Sequence, residues 1–313
     1  GLPAPALVLA VGGASRGHQI GEAVRLLDRH FARQPPAAVL VQGDTNTTLA
    51  GALAANARQV PLVHVEAGLR SHDRAMPEEH NRVLTDHLAD LCCAPTETNR
   101  ANLLAERIAA ERVEVTGNTV VEALQRLLPP PRQRKALLDG LGLFAARFVL
   151  ATFHRPENVD DPERLQVILR ELGALPFPVL LPLHPRTAVR VGSFGLADLL
   201  RKVSAIEPVG YRTFLGLAAE CAFLVSDSGG VQEEATVVKR PVLVVRNSTE
   251  RPEVLGTFAR LVQPGPLIRQ TAGEWAENLA DLHASLAGLP SPYGDGSASR
   301  RCLSALTRLA GAR

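Results

Sequence analysis

The chain has 313 residues, 46% of them hydrophobic, and a formal net charge of +2. That length suits about two domains with cores of their own. The scattered mix of Arg and acidic residues excludes the clustered basic surface that a nucleic-acid partner requires, and no apolar run of about 18 residues or export-type leader points to a membrane.

The elements follow in chain order as an α/β alternation. A helix over 21–32 precedes a buried strand at 37–41. Then come a helix at 47–57, a strand at 61–65, a helix at 77–90, a strand at 91–94, a helix at 98–109, a strand at 113–116 and a helix at 118–127. Short apolar runs separated by amphipathic stretches of this length are the mark of βαβ units in a parallel sheet. Three prolines, Pro129, Pro130 and Pro131, then break the pattern. Proline is excluded from helix interiors and favours extended chain, so a stiff linker is expected through 129–135. A second series follows, with strands at 148–152, 179–183, 204–206, 223–225, 241–245 and 260–262, and a terminal amphipathic helix at 298–309. The expectation is an N-terminal domain over 1–130, joined by the C-terminal helix at 298–313, and a C-terminal domain over 131–297. In open α/β sheets ligands bind outside the carboxyl ends of the strands, so two such edges facing a cleft would share one ligand.

The four cysteines are Cys92, Cys93, Cys221 and Cys302. None has CxxC or Cys/His ligand spacing, so no metal site is expected, and buried reduced thiols of a cytoplasmic protein are the simplest account. Aromatics at 4% leave little for base or sugar stacking.

The chemistry-bearing residues fall just after strands. Asp44, in Gly43-Asp44-Thr45, is either the N-cap of the next helix or a carboxylate at the ligand edge. Glu66 ends an apolar strand, where a carboxylate is costly unless paired or used, and Gly68 permits an unusual turn. Pro77, Glu78 and Glu79 suit a helix start, while Glu78 and Arg82 share one helix face. Capping alone does not account for so many polar groups between His64 and Arg82. In the second half, His154 and Arg155 follow a strand, and His184-Pro185-Arg186 repeats the theme. The run Ser226-Asp227-Ser228-Gly229-Gly230 leads from a strand into a helix. Its free N–H groups would hold a phosphate or diphosphate, Ser228 adding a hydroxyl and Glu234, one turn on, accepting from ribose hydroxyls; the alternative is a tight capped turn. Arg251 supplies a cation to the same edge.

Taken in order, GDTNTT (43–48), HVEAGLRS (64–71), MPEEHNRVLTDHLAD (76–90), APTETN (94–99), VTGNTVVEAL (115–124), FHRPENVDDP (153–162), LHPR (183–186), SDSGGVQEEA (226–235), RNSTERPE (246–253) and SPYGDGSAS (291–299) resemble the non-hydrolysing UDP-N-acetylglucosamine 2-epimerases. The resemblance runs from about Leu7 to the C-terminus. It implies a GT-B-like fold of two Rossmann-like, doubly wound domains facing a cleft, with the last helix returning to the first domain. It also implies a homodimer, a UDP-sugar substrate and no metal or redox cofactor. The implied reaction interconverts UDP-N-acetylglucosamine and UDP-N-acetylmannosamine by loss of the C2 proton and UDP, through a 2-acetamidoglucal.

By match to the family's motifs, Asp44, Glu66, Glu78 and His154 form the acid–base set. Arg82, Arg155, Ser228, Gly229, Gly230, Glu234 and Arg251 bind substrate, and His184 matches a position of a regulatory UDP-sugar site. The family's opening strand, its GTRPE-type loop and a glutamine-bearing segment precede the matched part and have no counterpart here. Lack of that strand should leave an apolar sheet edge. Three rivals share parts of the pattern: a GT-B glycosyltransferase, a non-catalytic UDP-sugar-binding protein and a hydrolysing epimerase.

Overall fold

The computed structural model describes residues 3–311, which divide by compactness into two units: one up to Thr119 and again from Tyr293, the other Val120–Pro292.

The first unit begins with α1 (Arg16–Arg33), capped by Ser15. It continues through β1 (Val39–Gln42), α2 (Asn46–Ala57), β2 (Leu62–Val65), α3 (Pro77–Leu88), β3 (Leu91–Ala94), α4 (Glu97–Ala105) and β4 (Val113–Val115). The strands are parallel in the order β1-β2-β3-β4. β2 and β3 are buried along their whole length, which explains why both read as continuous apolar runs rather than alternating ones. Among the described residues β1 pairs only with β2, and its Leu40 is 48% exposed.

From Thr119 the chain forms α5 (Thr119–Leu127), and then α6 (Pro131–Leu141). Here the sequence expectation of an extended linker fails. Pro131 occupies the first helical position, where its missing N–H is no loss and its fixed φ already suits the helix. Pro130, just before it, is extended, with φ −62° and ψ 156°. Proline at a helix start and proline in an extended spacer look alike in sequence; the amphipathic stretch after Pro131 decides between them.

The second unit continues with β5 (Val149–Thr152), α7 (Pro156–Val159), α8 (Pro162–Leu172), β6 (Val179–Pro182), α9 (Pro185–Ser193), α10 (Ala197–Leu200), β7 (Ser204–Ile206), α11 (Tyr211–Glu220), β8 (Phe223–Ser226), α12 (Gly229–Val238), β9 (Val242–Val245), β10 (Ala259–Val262), α13 (Leu267–Glu277) and α14 (Leu279–Ala287). Its six parallel strands run β10-β9-β8-β5-β6-β7. The order grows outward in both directions from the β5/β8 pair, so the sheet is doubly wound and the switch point lies where β5 and β8 end. Val149, Phe223, Val225, Leu243 and Ile168 lie in the core beneath that point.

The chain then returns to the first unit as α15 (Ala298–Gly311), which lays Cys302 and Ala305 against Val63, Val65, Leu91 and Cys93. All four cysteines are buried free thiols. Among the described residues no helix is long and apolar enough to cross a membrane.

Candidate active site

In the first unit the polar residues gather where β1 and β2 end. Thr45, not Asp44, caps α2: its hydroxyl accepts from Thr48 N–H at 3.2 Å. Asp44 is thereby free of capping and turns to Arg82, whose Nε and Nη2 donate to Asp44 Oδ2 at 2.9 and 2.6 Å. Arg82 does not pair with Glu78 across the shared helix face. Its Nη1 donates to Glu79 Oε2 at 2.8 Å.

Glu79, which sequence reading assigned to helix capping, is the hub of the turn before α3. It accepts from Ser71 N–H at 3.0 Å, Ser71 Oγ at 3.1 Å and His72 N–H at 2.9 Å. Burial pushes its pKa up, but these donors and Arg82 outweigh burial and hold it below the usual range. Glu78, one residue earlier, is half-buried and lines a surface pocket of about 430 Å³ with Asp44, Arg16, Gln19, Asn46 and Asn81. Asn81 fixes that pocket's floor by donating to Asp44 O at 2.8 Å and accepting from Arg16 Nη2 at 2.8 Å.

Glu66 follows β2 directly and adopts φ +70°, a left-handed conformation that a non-glycine residue takes only where its surroundings compel it. Gly68 (φ +81°) completes the turn, and a Cβ there would overlap the Asn99 carbonyl. The turn is thus fixed by close packing on α4, and it sets the direction in which the Glu66 backbone leaves the strand.

In the second unit the site residues stand at the β5/β8 switch point. Asp227, fully buried after β8, accepts from His154 N–H at 3.1 Å, Arg155 N–H at 3.0 Å and Asn158 Nδ2 at 3.2 Å. Its Oδ1 lies 3.4 Å from His154 Nδ1. Asp227 therefore anchors the loop that carries His154 and Arg155; the sequence signal for it was only its place after a strand. Burial lowers the His154 pKa against the opposing pull of Asp227, and Arg155, His184 and Arg246 add to the lowering, so the imidazole is neutral at neutral pH. His184 stacks beside it, ring centroids 5.3 Å apart, and caps α9 by accepting from Arg186 N–H.

Ser228 is the N-cap residue of α12, yet its side chain makes no capping bond. The first-turn N–H groups of Gly229 and Gly230 are left for an anion. Gly229 is required for a second reason: a Cβ would lie 2.5 Å from Arg251 Nη1 and 2.6 Å from Glu250 Oε1. Arg251 donates to Glu233 Oε1 at 2.7 Å and is also bonded to Glu250, so the guanidinium predicted to meet substrate is held by two carboxylates.

Arg246, which sequence reading did not single out, follows β9 immediately. It is 1% exposed, pairs with Glu250 Oε2 at 2.8 Å, and has no hydrogen-bond partner for Nη2 among the described residues. A buried guanidinium with a donor to spare at the rim of a sheet suits an anionic ligand. The available signal was the one that marked His154: first charged residue after a buried strand. Glu234 lies one turn into α12, 8% exposed, with Oε2 lacking a hydrogen-bond partner among the described residues. Burial raises its pKa to about 6, with Tyr211 pulling the other way.

A chain with two parallel Rossmann-like α/β units, each bearing its polar residues at the carboxyl edge of its sheet, has the GT-B-like class of fold. The family model for UDP-N-acetylglucosamine 2-epimerase matches residues 1–307, and the chain belongs to that family. It is 38% identical over 316 residues to the UDP-N-acetylglucosamine 2-epimerase of Methanocaldococcus jannaschii, covering 98% of this chain and 85% of the relative. The crystal structure of the M. jannaschii UDP-GlcNAc 2-epimerase in complex with UDP-GlcNAc and UDP superimposes with a TM-score of 0.86 at 37% identity, over 98% of this chain and 85% of that one. A UDP-2,3-diacetamido-2,3-dideoxy-D-glucuronate 2-epimerase of Pseudomonas aeruginosa is 40% identical over 271 residues, 84% of this chain and 73% of the relative.

Proposed function

We propose that this chain interconverts UDP-N-acetylglucosamine and UDP-N-acetylmannosamine at C2. The observation that carries the reading is the sharing of one 430 Å³ pocket by Asp44 and Glu78, in a chain of the epimerase family. The C2–H of a sugar is weakly acidic, so its removal needs a positioned base, and its return on the opposite face needs an acid. Asp44, Glu66 and Glu78 supply these groups from the first unit. As the C2–H bond breaks, its electrons form the C1=C2 double bond and the C1–O bond electrons leave with UDP. Re-addition of UDP to C1 and a proton to the other face of C2 completes the inversion.

The departing diphosphate gains charge, and fixed donors aimed at it lower the barrier. The α12 N–H groups at Gly229 and Gly230, with Ser228, take the diphosphate, and Arg246 and Arg155 add cationic donors. Neutral His154 can donate a proton in a hydrogen bond without adding charge, and Asp227 holds its backbone in place. Glu234 accepts from the ribose hydroxyls. Arg251 steadies Glu233 and Glu250 behind that surface. His184, whose ring lies beside that of His154, is taken as the regulatory-site residue from its match to the family's motif. The enzyme works in the cytoplasm as a homodimer, consistent with its reduced buried thiols and its family.

Incubation with UDP-N-acetylglucosamine, followed by separation of the sugars, tests this reading. UDP-N-acetylmannosamine as the product supports it; free sugar plus UDP would indicate hydrolysis, and UDP binding without conversion a sensor. The P. aeruginosa relative gives a second substrate the same C2 chemistry, so the UDP-2,3-diacetamido uronate belongs in the same assay.

A further inference from the structure

His64 sits in β2 at 0% exposure, two residues before Glu66, and the acid–base set makes no use of it. Its Nδ1 lies 2.6 Å from Asp86 Oδ1 and its Nε2 2.9 Å from Gly43 O. A backbone carbonyl can only accept. Asp86 also acts as an acceptor: its Oδ2 takes Gly68 N–H at 3.1 Å and the Arg70 guanidinium at 2.8 Å. Burial pushes the Asp86 pKa up, but His64 and Arg70 outweigh it and keep the carboxyl below its usual range. With acceptors at both ends, each ring nitrogen must carry a hydrogen. A neutral tautomer would set a nitrogen lone pair against an oxygen lone pair in a site without solvent.

Resting on the epimerase reading above, we propose that His64 is a standing imidazolium that acts as a positioning residue, locking the Asp44 turn to the Glu66 turn. Gly43 O, which it holds, belongs to the residue before Asp44, and Gly43 itself is at φ +71°. Asp86, which it also holds, grips Gly68 in the turn begun by Glu66. One ring thus ties together the ends of β1 and β2 and the last turn of α3. The charged and titratable groups around it are few. α3 contributes Asp86, the turn after β2 contributes Glu66 and Arg70, and α4 is followed by Glu106, which takes the rest of Arg70 at 2.7 Å. β3 contributes the buried thiol of Cys92, opposite His64 in register, and Asp44 follows Gly43. α2 carries no ionisable residue. Burial pulls the imidazole pKa down, and Asp86, the Gly43 carbonyl and Glu66 more than reverse it, leaving it raised.

The test is nitrogen-15 NMR of the histidines in the full chain at about pH 8, where an ordinary histidine is neutral. One imidazolium with two protonated nitrogens is expected, absent in His64→Gln and converted to a neutral ring in Asp86→Asn. A His64 ring with one bare nitrogen at that pH overturns the proposal. In the same variants, C2 deuterium exchange from heavy water should fall by about 10²-fold in kcat with KM within a few-fold, as displacement of reacting groups by about 1 Å produces. A His64→Gln enzyme with wild-type kcat and an unchanged pH profile also overturns it. If the unaltered chain shows no exchange, the epimerase reading fails, while the NMR signal still decides the charge on His64.

Discussion

Arg82 on α3 holds Asp44, which follows β1, with two nitrogens on one carboxylate oxygen, at 2.9 and 2.6 Å. The guanidinium is 2% exposed and its third nitrogen is taken by Glu79. Arg82→Met therefore strands two carboxylates, and removal of one partner from a buried ion network costs about 3–5 kcal/mol. Arg82→Lys keeps the charge but loses the fork and should fall between. Urea unfolding of the two variants checks the order: wild type, then Lys, then Met.

Glu78 is the carboxylate of the pocket that Arg82 leaves unengaged. Glu78→Gln keeps its size and removes its basicity. C2 exchange should be lost by about 10²–10⁴-fold, the range for a general acid–base group, with UDP affinity within a few-fold. Exchange kinetics with a parallel UDP titration measures both, and retained exchange removes Glu78 from the acid–base set.

The Glu234 carboxyl has its pKa raised to about 6 by burial. If the ionised form accepts from ribose, affinity is full above that pH and declines as pH falls through it. UDP-N-acetylglucosamine, whose diphosphate does not titrate near pH 6, should bind about tenfold more weakly at about pH 5 than at about pH 7. Glu234→Gln should flatten that profile. Isothermal titration across the range shows whether it does.

The partners of Asp86 and Glu79 hold both carboxyls below the usual carboxylate range in the folded chain. The stability each gives is present above its unfolded value and is lost as pH falls through the folded one. Thermal unfolding should therefore show a steep loss below about pH 4.5. Asp86→Asn and Glu79→Gln should each be less stable than wild type at neutral pH and lose less on acidification.

The sheets were legible because parallel strands buried on both faces leave continuous apolar runs, as in Phe223–Ser226 and Val242–Val245. The motif residues were legible because carboxyl ends of such strands are where ligands sit. What sequence spacing could not show was who pairs with whom. Glu78 and Arg82 share a face, yet the turn at Ser71 and His72 draws Glu79 inward to take the arginine. Asp44 and Thr45 are both good caps, and only the backbone at Thr45 (φ −72°, ψ 164°) selects the second. The roles of Asp227 and Arg246 depend on partners far along the chain, His154 for the first and Glu157 for the second. The proline run is not an extended spacer throughout, because Pro131 begins a helix.

The measurement that bears most directly on the central claim is proton NMR of the nucleotide sugar after incubation of UDP-N-acetylglucosamine with the enzyme in heavy water. Removal and return of the C2 proton predicts deuterium at C2 of both UDP-linked sugars, with the signal lost in Glu78→Gln. A UDP-linked pool that keeps its C2 hydrogen while UDP binds would contradict the account.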